Sequence, residues 1–277
     1  MLFNNTFIIN SDNDNELPII GDITYKNDSN NLVVFCHGFK GFKDWGCWNL
    51  VADLFVENGF NFLKFNFSHN GGTLVNPVDF SDLQSFSLNT YSKEVKDVHR
   101  VIDYVTLNKY NHKYEHIYII GHSRGGGVAC LSTKDYPLIN KLVTWAGVSD
   151  FKQRFPLGEE LSKWKANGIR YISNSRTCQE LPISINFYKD FIDNESKLSI
   201  KTALLNYSGK FLACYGSLDL VVPNQYALDM AKWASNSTLL KIRTNHTFGS
   251  KHPWIETSLP DSLKEVCLKT IDFLKSD

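Results

Sequence analysis

Short apolar runs alternate with segments of helical period along most of the chain. The apolar runs are typical of buried strands, and their alternation with amphipathic helices is typical of βα units that build a parallel sheet. We therefore predict an α/β fold with a mostly parallel sheet. The predicted strands are Asn31–His37, Asn61–Asn66, His116–Gly121, Lys141–Ala146, Lys210–Tyr215 and Thr238–Ile242.

Helical period is clearest in two segments, Trp45–Glu57 and Tyr91–Leu107. In the second segment, apolar residues recur at helical spacing and form a single stripe. The end of the chain has the same period, and its start carries Pro260 and Asp261, which are favoured in a first helical turn. The run Leu17–Tyr25 is more weakly patterned, and we expect it to be an edge strand.

One stretch, residues 150–196, departs from this alternation. It is rich in aromatic and basic side chains, contains Pro156 and Pro182, and precedes a helix predicted at Leu198–Tyr207. A segment of this length is more simply an insertion than a separate domain. We therefore expect residues 1–277 to form one domain, with 150–196 inserted in it.

The composition excludes several classes of protein. Hydrophobic residues make up 43% of the 277 residues and charged residues 21%, which is enough apolar material for a sizeable core. The 29 Lys and Arg residues equal the 29 Asp and Glu residues, so the basic balance of a general nucleic-acid binder is missing. No apolar run approaches the ~20 residues that span a bilayer, and residues 1–10 do not resemble a secretory signal. We expect a cytoplasmic protein without a nucleic-acid partner or a membrane span.

The six cysteines are scattered and include no Cys-x-x-Cys pair. In a chain of this size they predict free, mostly buried thiols rather than a disulfide framework. The eight histidines show no metal-binding spacing, so we expect no metal site. No pattern in the sequence sets an oligomeric state.

The most informative motif is Gly121-His-Ser123-Arg-Gly125, which lies between an apolar strand and a helix predicted at Val128–Thr133. In that context a Gly-x-Ser-x-Gly sequence makes a sharp turn that holds the serine in a strained conformation. The small residues on both sides let the flanking chains approach closely and leave the hydroxyl exposed. Ser123 is therefore the candidate nucleophile.

A serine hydroxyl needs a base, and the base needs a group that orients it. Asp219 follows a predicted strand, and His246 lies in a loop after the next one. The order Ser, Asp, His, with each residue at the carboxyl end of a strand, matches one class of serine hydrolases. Asp219 is expected to hold the His246 ring in the tautomer that accepts the serine proton. His252 is an alternative base, and Asp150 is an alternative acid.

Attack on a carbonyl creates an oxyanion, which needs preformed hydrogen-bond donors. The first predicted strand runs into a loop punctuated by glycines, so the backbone N–H of Phe39 is one candidate donor. The backbone N–H of Lys40 is the alternative donor, because the donor position in a glycine-rich loop can be assigned wrongly by one residue. The backbone N–H of Arg124, directly after the serine, is the second candidate.

Other polar residues near these motifs are expected to have no catalytic role. His122 is next to the candidate nucleophile, so we expect its side chain to point away from the site and to have a packing or hydrogen-bonding role. Asp44 and His69 fall in loops at the same edge of the sheet. We interpret both as solvated loop residues.

Four motifs together resemble the α/β-hydrolase superfamily: His-Gly-Phe-x-Gly at 37–41, Gly-His-Ser-x-Gly-Gly at 121–126, Gly-x-x-Asp-x-x-Val-Pro at 216–223 and Asn-His-x-Phe-Gly at 245–249. The resemblance spans about Leu32 to Gly249. It is strongest to small esterases and to dienelactone-hydrolase-like and serine-aminopeptidase-like members. It implies an α/β-hydrolase fold, with an eight-stranded, mostly parallel sheet flanked by helices, and no cofactor. Dienelactone hydrolases carry a cysteine where this chain has Ser123, so that reaction is not expected.

Carried over by position, the resemblance makes Ser123 the nucleophile, Asp219 the orienting acid and His246 the base. It makes the backbone N–H groups of Phe39 and Arg124 the oxyanion donors. These roles are those of a Ser-His-Asp triad in acyl transfer.

The resemblance also implies that residues 150–196 form a lid, with Trp164, Tyr171 and Arg176 as candidate residues of the substrate pocket. The alternative, favoured for any single aromatic residue, is that these side chains pack the lid onto the sheet. The expected function is hydrolysis of a small carboxylic ester through an acyl-enzyme intermediate. A peptidase or amidase with the same triad is one alternative. A ligand-binding relative without catalysis is the other.

Overall fold

The computed structural model describes residues 2–11, 16–26, 29–107 and 112–276. Its strands are β1 (Phe3–Ile9), β2 (Ile19–Tyr25), β3 (Asn31–Cys36), β4 (Asn61–Phe65), β5 (His116–His122), β6 (Lys141–Trp145), β7 (Ile169–Asn174), β8 (Gln179–Ser184), β9 (Lys210–Gly216) and β10 (Ser237–Ile242). Its α-helices are α1 (Trp48–Glu57), α2 (Leu83–Ser87), α3 (Tyr91–Thr106), α4 (Arg124–Ser132), α5 (Gly158–Asn167), α6 (Asn186–Asp193), α7 (Ile200–Leu205), α8 (Gln225–Trp233) and α9 (Asp261–Lys275).

Eight strands form one sheet in the order β1-β2-β4-β3-β5-β6-β9-β10. β1 pairs antiparallel with β2 and β2 with β4, and the other pairs are parallel. The register sets Cys36 beside Gly121, and Trp145 beside both His122 and Cys214. The carboxyl ends of β3, β5, β6 and β9 therefore meet at one edge. The predicted α/β-hydrolase fold with an eight-stranded, mostly parallel sheet is confirmed.

The apolar runs of the central strands are continuous because both faces of the sheet are covered. In β5, Ile117 and Ile119 pack in the core that contains α3, α4, α7 and α8. The alternate residues Tyr118 and Ile120 pack in the core that contains α1 and α9. Successive side chains of a strand point to opposite faces, so one short segment supplies both cores.

The prediction of an edge strand at Leu17–Tyr25 is wrong. β2 lies inside the sheet, between β1 and β4, and β1 supplies the edge. Only Phe7 is buried among the residues of β1. A strand whose side chains are mostly exposed carries little hydrophobic pattern, and this is why the sequence did not reveal it.

Residues 150–196 contain α5, the antiparallel hairpin of β7 and β8, and α6. The hairpin is joined to the segment before α2 by the Gln179 side chain, whose Nε2 donates to the Phe80 carbonyl at 3.1 Å. Trp164 of α5 is buried, and its Nε1 donates to the Ile183 carbonyl of β8 at 3.0 Å. The segment therefore has its own packing and is fastened to the rest of the fold.

The six cysteines are free thiols, five of them buried and Cys178 exposed. Across the described ranges, no helix combines the length and the apolar character that a bilayer crossing requires.

Candidate active site

Ser123 sits in a strained turn between β5 and α4. Its φ is 56° and its ψ is −122°, a conformation that non-glycine residues rarely adopt. Its N–H donates to the Trp145 carbonyl at 2.9 Å, and its own carbonyl accepts from the N–H groups of Gly126 and Val148 at 3.0 Å each. These bonds hold the backbone against the strain, as the Gly-x-Ser-x-Gly motif predicts.

Glycine is required on both sides of this serine by close backbone contacts. A Cβ atom at Gly121 would lie 2.3 Å from the Gly125 carbonyl oxygen. A Cβ at Gly125 would lie 2.4 Å from the carbonyl oxygens of both Cys36 and His37. The turn therefore packs directly on the end of β3, and this contact places the loop after β3 beside Ser123.

Ser123, His246 and Asp219 form a continuous hydrogen-bonded chain. The Oγ of Ser123 lies 2.9 Å from the Nε2 of His246, and the Nδ1 of His246 lies 2.7 Å from the Oδ2 of Asp219. With Nδ1–H donating to the carboxylate, Nε2 is left as an acceptor for the serine hydroxyl. The structure thus brings together three side chains that are far apart in the sequence.

The Asp219 carboxylate is held by the backbone as well as by the imidazole. Its Oδ1 accepts the N–H groups of Val221 at 2.7 Å and Val222 at 3.0 Å. Burial raises the pKa of Asp219, but the hydrogen bonds from His246, Val222 and Val221 together outweigh that effect and leave the pKa below its ordinary value. The group is therefore ionised at neutral pH.

The loops that carry Asp219 and His246 are tied to each other. The N–H of Leu218 donates to the Thr244 carbonyl at 2.9 Å. A Cβ at Gly216 would lie 2.5 Å from that same carbonyl oxygen. The small residue at position 216 therefore lets the turn after β9 approach the loop after β10, so their side chains can meet.

His122 does not point away from the site as expected. Its Nε2 donates to the His246 carbonyl at 3.1 Å, and the two rings lie 4.9 Å apart. Burial lowers the pKa of His122 to about 3, so the ring is neutral at physiological pH. His122 thus supports the backbone of the loop that carries His246. His122 lies on the same face of β5 as Tyr118 and Ile120, where its ring packs against Trp48.

The alternative base and the alternative acid are both engaged elsewhere. The Nδ1 of His252 accepts the N–H of Gly46 at 2.9 Å, and its ring packs edge-on to Phe42. The Asp150 carboxylate accepts the N–H of Lys152 at 2.8 Å and the Nε2 of Gln153 at 3.0 Å. The structure brings neither side chain to Ser123.

The loop after β3 lies against the serine. A Cβ on Gly38 would be 3.0 Å from the Cβ of Ser123. The N–H of Gly41 donates to the Gly38 carbonyl at 3.0 Å, and Lys40 has a φ of 59°, so the loop is a tight turn. Within the described ranges, the backbone N–H groups of Phe39 and Arg124 donate no hydrogen bond to the chain. Both donors are therefore available to another acceptor.

A buried ionic cluster fixes the end of this loop. Lys43 lies 2.5 Å from Asp22 and 2.6 Å from Asp44, and Lys64 lies 2.7 Å and 2.5 Å from the same two carboxylates. The expectation that Asp44 is a solvated residue is thus wrong, because two buried lysines require a counter-charge there. His69 is buried as well, with its Nδ1 2.8 Å from the Ser68 hydroxyl.

A cavity of about 270 Å³ opens beside Ser123. Trp45 and Trp48, which no motif singles out, contribute to its walls, and their place directly after the 37–41 loop is the signal that points to them. The cavity is lined by Gly38, Phe39, Lys40, Gly41, Trp45, Trp48, His122, Ser123, Asn174, Arg176, His246 and Thr247.

Of the three candidate pocket residues, the structure places only Arg176 in this cavity. Trp164 is buried within the 150–196 segment, where it packs against Phe155 and Arg170. Tyr171 is 60% exposed on the hairpin. Trp164 thus takes the packing role that was the favoured alternative, whereas Tyr171 neither lines the cavity nor is buried.

The family of the chain follows from comparison with known proteins. The family described as Serine aminopeptidase, S33, matches residues 27–181, which is more than half of the chain. The chain belongs to this family. The resemblance to the α/β-hydrolase superfamily that the four motifs indicated is thereby confirmed.

Among curated proteins, this S33 family member is 25% identical over 232 residues to "Putative esterase/lipase 2" of Mycoplasma genitalium, covering 76% of this chain and 80% of that protein. Among solved structures it is similar to Est1E from Butyrivibrio proteoclasticus, with a TM-score of 0.70, 17% identity and 97% of each chain covered. It is also similar to alpha/beta hydrolase domain-containing protein 10 from mouse, with a TM-score of 0.71, 16% identity and 98% of each chain covered. These structures share its fold.

Among the described residues of this S33 family member, no group of three or more His, Cys, Asp or Glu side chains could hold a metal ion.

Proposed function

We propose that this protein is a serine hydrolase that cleaves carboxylic esters of a small substrate through an acyl-enzyme intermediate. The observation that carries the proposal is the hydrogen-bonded chain from the Ser123 hydroxyl through His246 to Asp219. Its two distances, 2.9 Å and 2.7 Å, lie within the range that proton transfer requires. The strained turn keeps the hydroxyl at the mouth of the cavity.

In the first step, the Ser123 Oγ attacks the ester carbonyl while the Nε2 of His246 takes the hydroxyl proton. The carbonyl oxygen becomes an oxyanion, which accepts the free backbone N–H groups of Phe39 and Arg124. The ionised Asp219 stabilises the imidazolium of His246. The C–O bond to the alcohol then breaks, and the departing alcohol takes the proton from Nε2.

In the second step, water attacks the acyl group on Ser123. His246 takes a proton from the water and returns it to the Ser123 oxygen as the acyl–enzyme bond breaks. The products are a carboxylic acid and free enzyme. Because the same imidazole serves both steps, loss of its orientation impairs both.

We also propose that residues 150–196 act as a lid within a single domain. Asn174 and Arg176 of this segment line the cavity beside Ser123. The Nζ of Lys40, in the loop that carries Phe39, donates to the Ser173 carbonyl at 3.3 Å. These contacts with the cavity and with the loop of one proposed oxyanion donor support the role of a lid. The six free cysteines fit the proposed cytoplasmic location.

The charges around the cavity favour an ester over the substrate of an aminopeptidase. An aminopeptidase must hold the α-ammonium of its substrate, which calls for a carboxylate near the scissile bond. The described residues that line this cavity include Lys40 and Arg176 but no carboxylate. Two like charges would repel an ammonium group. The name of the Mycoplasma genitalium relative also points to ester hydrolysis.

The proposal is tested first with a fluorophosphonate probe, which reacts with activated serines. The wild-type protein is expected to be labelled, and Ser123→Ala is not. Absence of labelling in protein with a native circular dichroism spectrum would favour a ligand-binding protein instead. A panel of 4-nitrophenyl esters of increasing acyl length, run beside aminoacyl 4-nitroanilides, then separates ester from amide hydrolysis. Faster hydrolysis of the anilides than of the esters would overturn the assignment as an esterase and indicate a peptidase.

A further inference from the structure

The cavity beside Ser123 carries positive charge although the protein as a whole has none. The chain has equal numbers of basic and acidic residues. The cavity wall has two cationic side chains, Lys40 and Arg176, and no carboxylate among its described residues. The two cations are thus a local feature of this wall, where Arg176 is paired with Asp79 and Asp219 lies behind His246. Charge focused in a cleft raises the local concentration of ligands of opposite sign.

Arg176 has a hydrogen-bonding deficit at this wall. Its Nη1 forms an ion pair with Asp79 at 2.5 Å. Its Nη2 is buried and has no hydrogen-bond partner among the described residues. A buried guanidinium nitrogen without an acceptor is costly, and a carboxylate or phosphate oxygen would satisfy it.

Lys40, on the loop after β3, has donors that no group of the described residues uses. Its Nζ makes one hydrogen bond, to the Ser173 carbonyl, whereas an ammonium group has three donors. Among the described residues, no carboxylate lies within the 4.0 Å of an ion pair with Lys40. Lys40 and Arg176 line the same cavity, and the charge of Arg176, after burial, contributes to lowering the pKa of Lys40. An anion between them would offset that effect of like charge.

The rest of the cavity suits the body of a small organic molecule. Trp45 and Trp48 form apolar walls, and their rings lie 5.9 Å apart. Ser123 and His246 belong to the same cavity of about 270 Å³. In so small a space, a group held by the cations is separated from the reacting carbonyl by only a few bonds.

We propose that the site selects esters that carry an anionic group, a carboxylate or a phosphate, close to the scissile bond, and that Lys40 and Arg176 bind that group. The proposal rests on the proposed function, since it names the class of ester that the same site takes. The anion can belong to the acyl part or to the alcohol part of the ester. Hydrolysis itself follows the two steps given above, and the anionic group takes no part in bond making or breaking.

The test compares matched pairs of esters. For the acyl side, 4-nitrophenyl hydrogen adipate is compared with 4-nitrophenyl hexanoate, which has a methyl in place of the carboxylate. For the alcohol side, 4-carboxyphenyl butanoate is compared with 4-methylphenyl butanoate. The readout is the ratio of kcat/KM for the anionic ester to that for its neutral partner, after subtraction of spontaneous hydrolysis.

In at least one pair, the wild-type ratio of kcat/KM values is expected to be about ten. One charge-assisted hydrogen bond has an effect of this size. Arg176→Gln and Lys40→Gln are each expected to lower that ratio about tenfold, and added salt is expected to lower it as well. The control is Lys163→Gln, which removes a cation from α5. The Lys163 side chain is 69% exposed and does not line the cavity. This variant is expected to keep the wild-type ratio.

A ratio at or below one in both pairs overturns the proposal, and so does a ratio that both variants leave unchanged. If one variant does not fold, the other decides. A binding measurement distinguishes failure of the proposed anion selectivity from failure of the proposed ester hydrolysis. Calorimetry on Ser123→Ala compares the monoamide of adipic acid with hexanamide, and 4-hydroxybenzoate with 4-methylphenol, so that each pair sets an anionic ligand against a neutral one. Selective binding of an anion that Arg176→Gln abolishes, in protein that hydrolyses none of the esters, would retain the anion site and overturn the esterase.

Discussion

The guanidinium carbon of Arg124 lies 3.9 Å from the centre of the Phe39 ring. These two residues also carry the two backbone N–H groups that we propose as oxyanion donors. The side chain of one donor residue therefore stacks on the side chain of the other. Arg124 also pairs with the buried carboxylate of Glu94 at 3.3 Å. Glu94 of α3 thus holds the Arg124 side chain by an ion pair, and the Phe39 ring stacks on that side chain. The two contacts together set the spacing between the loop after β3 and the start of α4.

Arg124→Met is expected to lower both stability and kcat. The variant leaves Glu94 buried without its counter-charge, which costs about 3–5 kcal/mol. It also removes the stack under Phe39, and the misplaced donor is expected to lower kcat by about tenfold or more, with a smaller effect on KM. Urea denaturation and ester kinetics measure the two effects separately.

The double variant Arg124→Met with Glu94→Gln separates positioning from stability. Because it removes both charges, it is expected to recover most of the stability but not the kcat. A double variant with wild-type kcat would show that the stack does not position the donor.

Asp219→Asn is expected to fold normally and to lose about 10⁴-fold in kcat, because an amide at this position favours the tautomer of His246 that cannot accept the serine proton. The measurement is kcat on a 4-nitrophenyl ester, with a circular dichroism spectrum as the check on folding. Turnover within tenfold of the wild type would remove Asp219 from the proposed triad.

His246→Ala is expected to abolish labelling of Ser123 by the fluorophosphonate probe, whereas His252→Ala leaves most of it. The two histidines make a matched pair, since His252 accepts a hydrogen bond from Gly46 and has no contact with Ser123. Its loss is expected to cost about 1 kcal/mol of stability. The reverse pattern of labelling would transfer the role of the base to His252.

The stability of the protein is expected to fall in acid partly through His69. Burial, followed by the charge of Lys93, lowers the pKa of His69 from 6.5 to about 4. Between these two values the unfolded chain binds a proton that the native state does not bind. The contribution of the neutral ring to stability is therefore complete above pH 6.5 and is lost as the pH falls towards 4.

His69→Gln tests this titration through the slope of the free energy of unfolding against pH. Between about pH 6 and 4.5, the slope is expected to be smaller than in the wild type by up to about 1.4 kcal/mol per pH unit. The comparison isolates this histidine from other groups that titrate in the same range. His116→Gln, at an exposed position, is the control. Equal slopes in the wild type and His69→Gln would contradict the assignment.

Several elements follow from local sequence. The central strands β3, β5, β6 and β9 coincide closely with the predicted apolar runs, because a strand buried on both faces must be apolar throughout. β1 has no such constraint, and the sequence analysis gives no prediction for the helix α8 or for the hairpin of β7 and β8. The orientations of His122, Asp44 and Trp164, which local sequence could not give, share one cause. Each side chain takes its orientation from residues far away in the chain.

By itself, the sequence determined the fold class and the chemical groups that follow each strand: an alcohol after β5, a carboxyl after β9 and an imidazole after β10. Periodicity and turn chemistry are local properties, so they can be read without coordinates. Only the tertiary structure decided that His246 rather than His252 reaches Ser123, that Arg124 turns to Phe39 and Glu94, and that Lys40 and Arg176 share one cavity. Loop side chains are oriented by contacts with residues far away in the chain, and those contacts form only when the fold is complete.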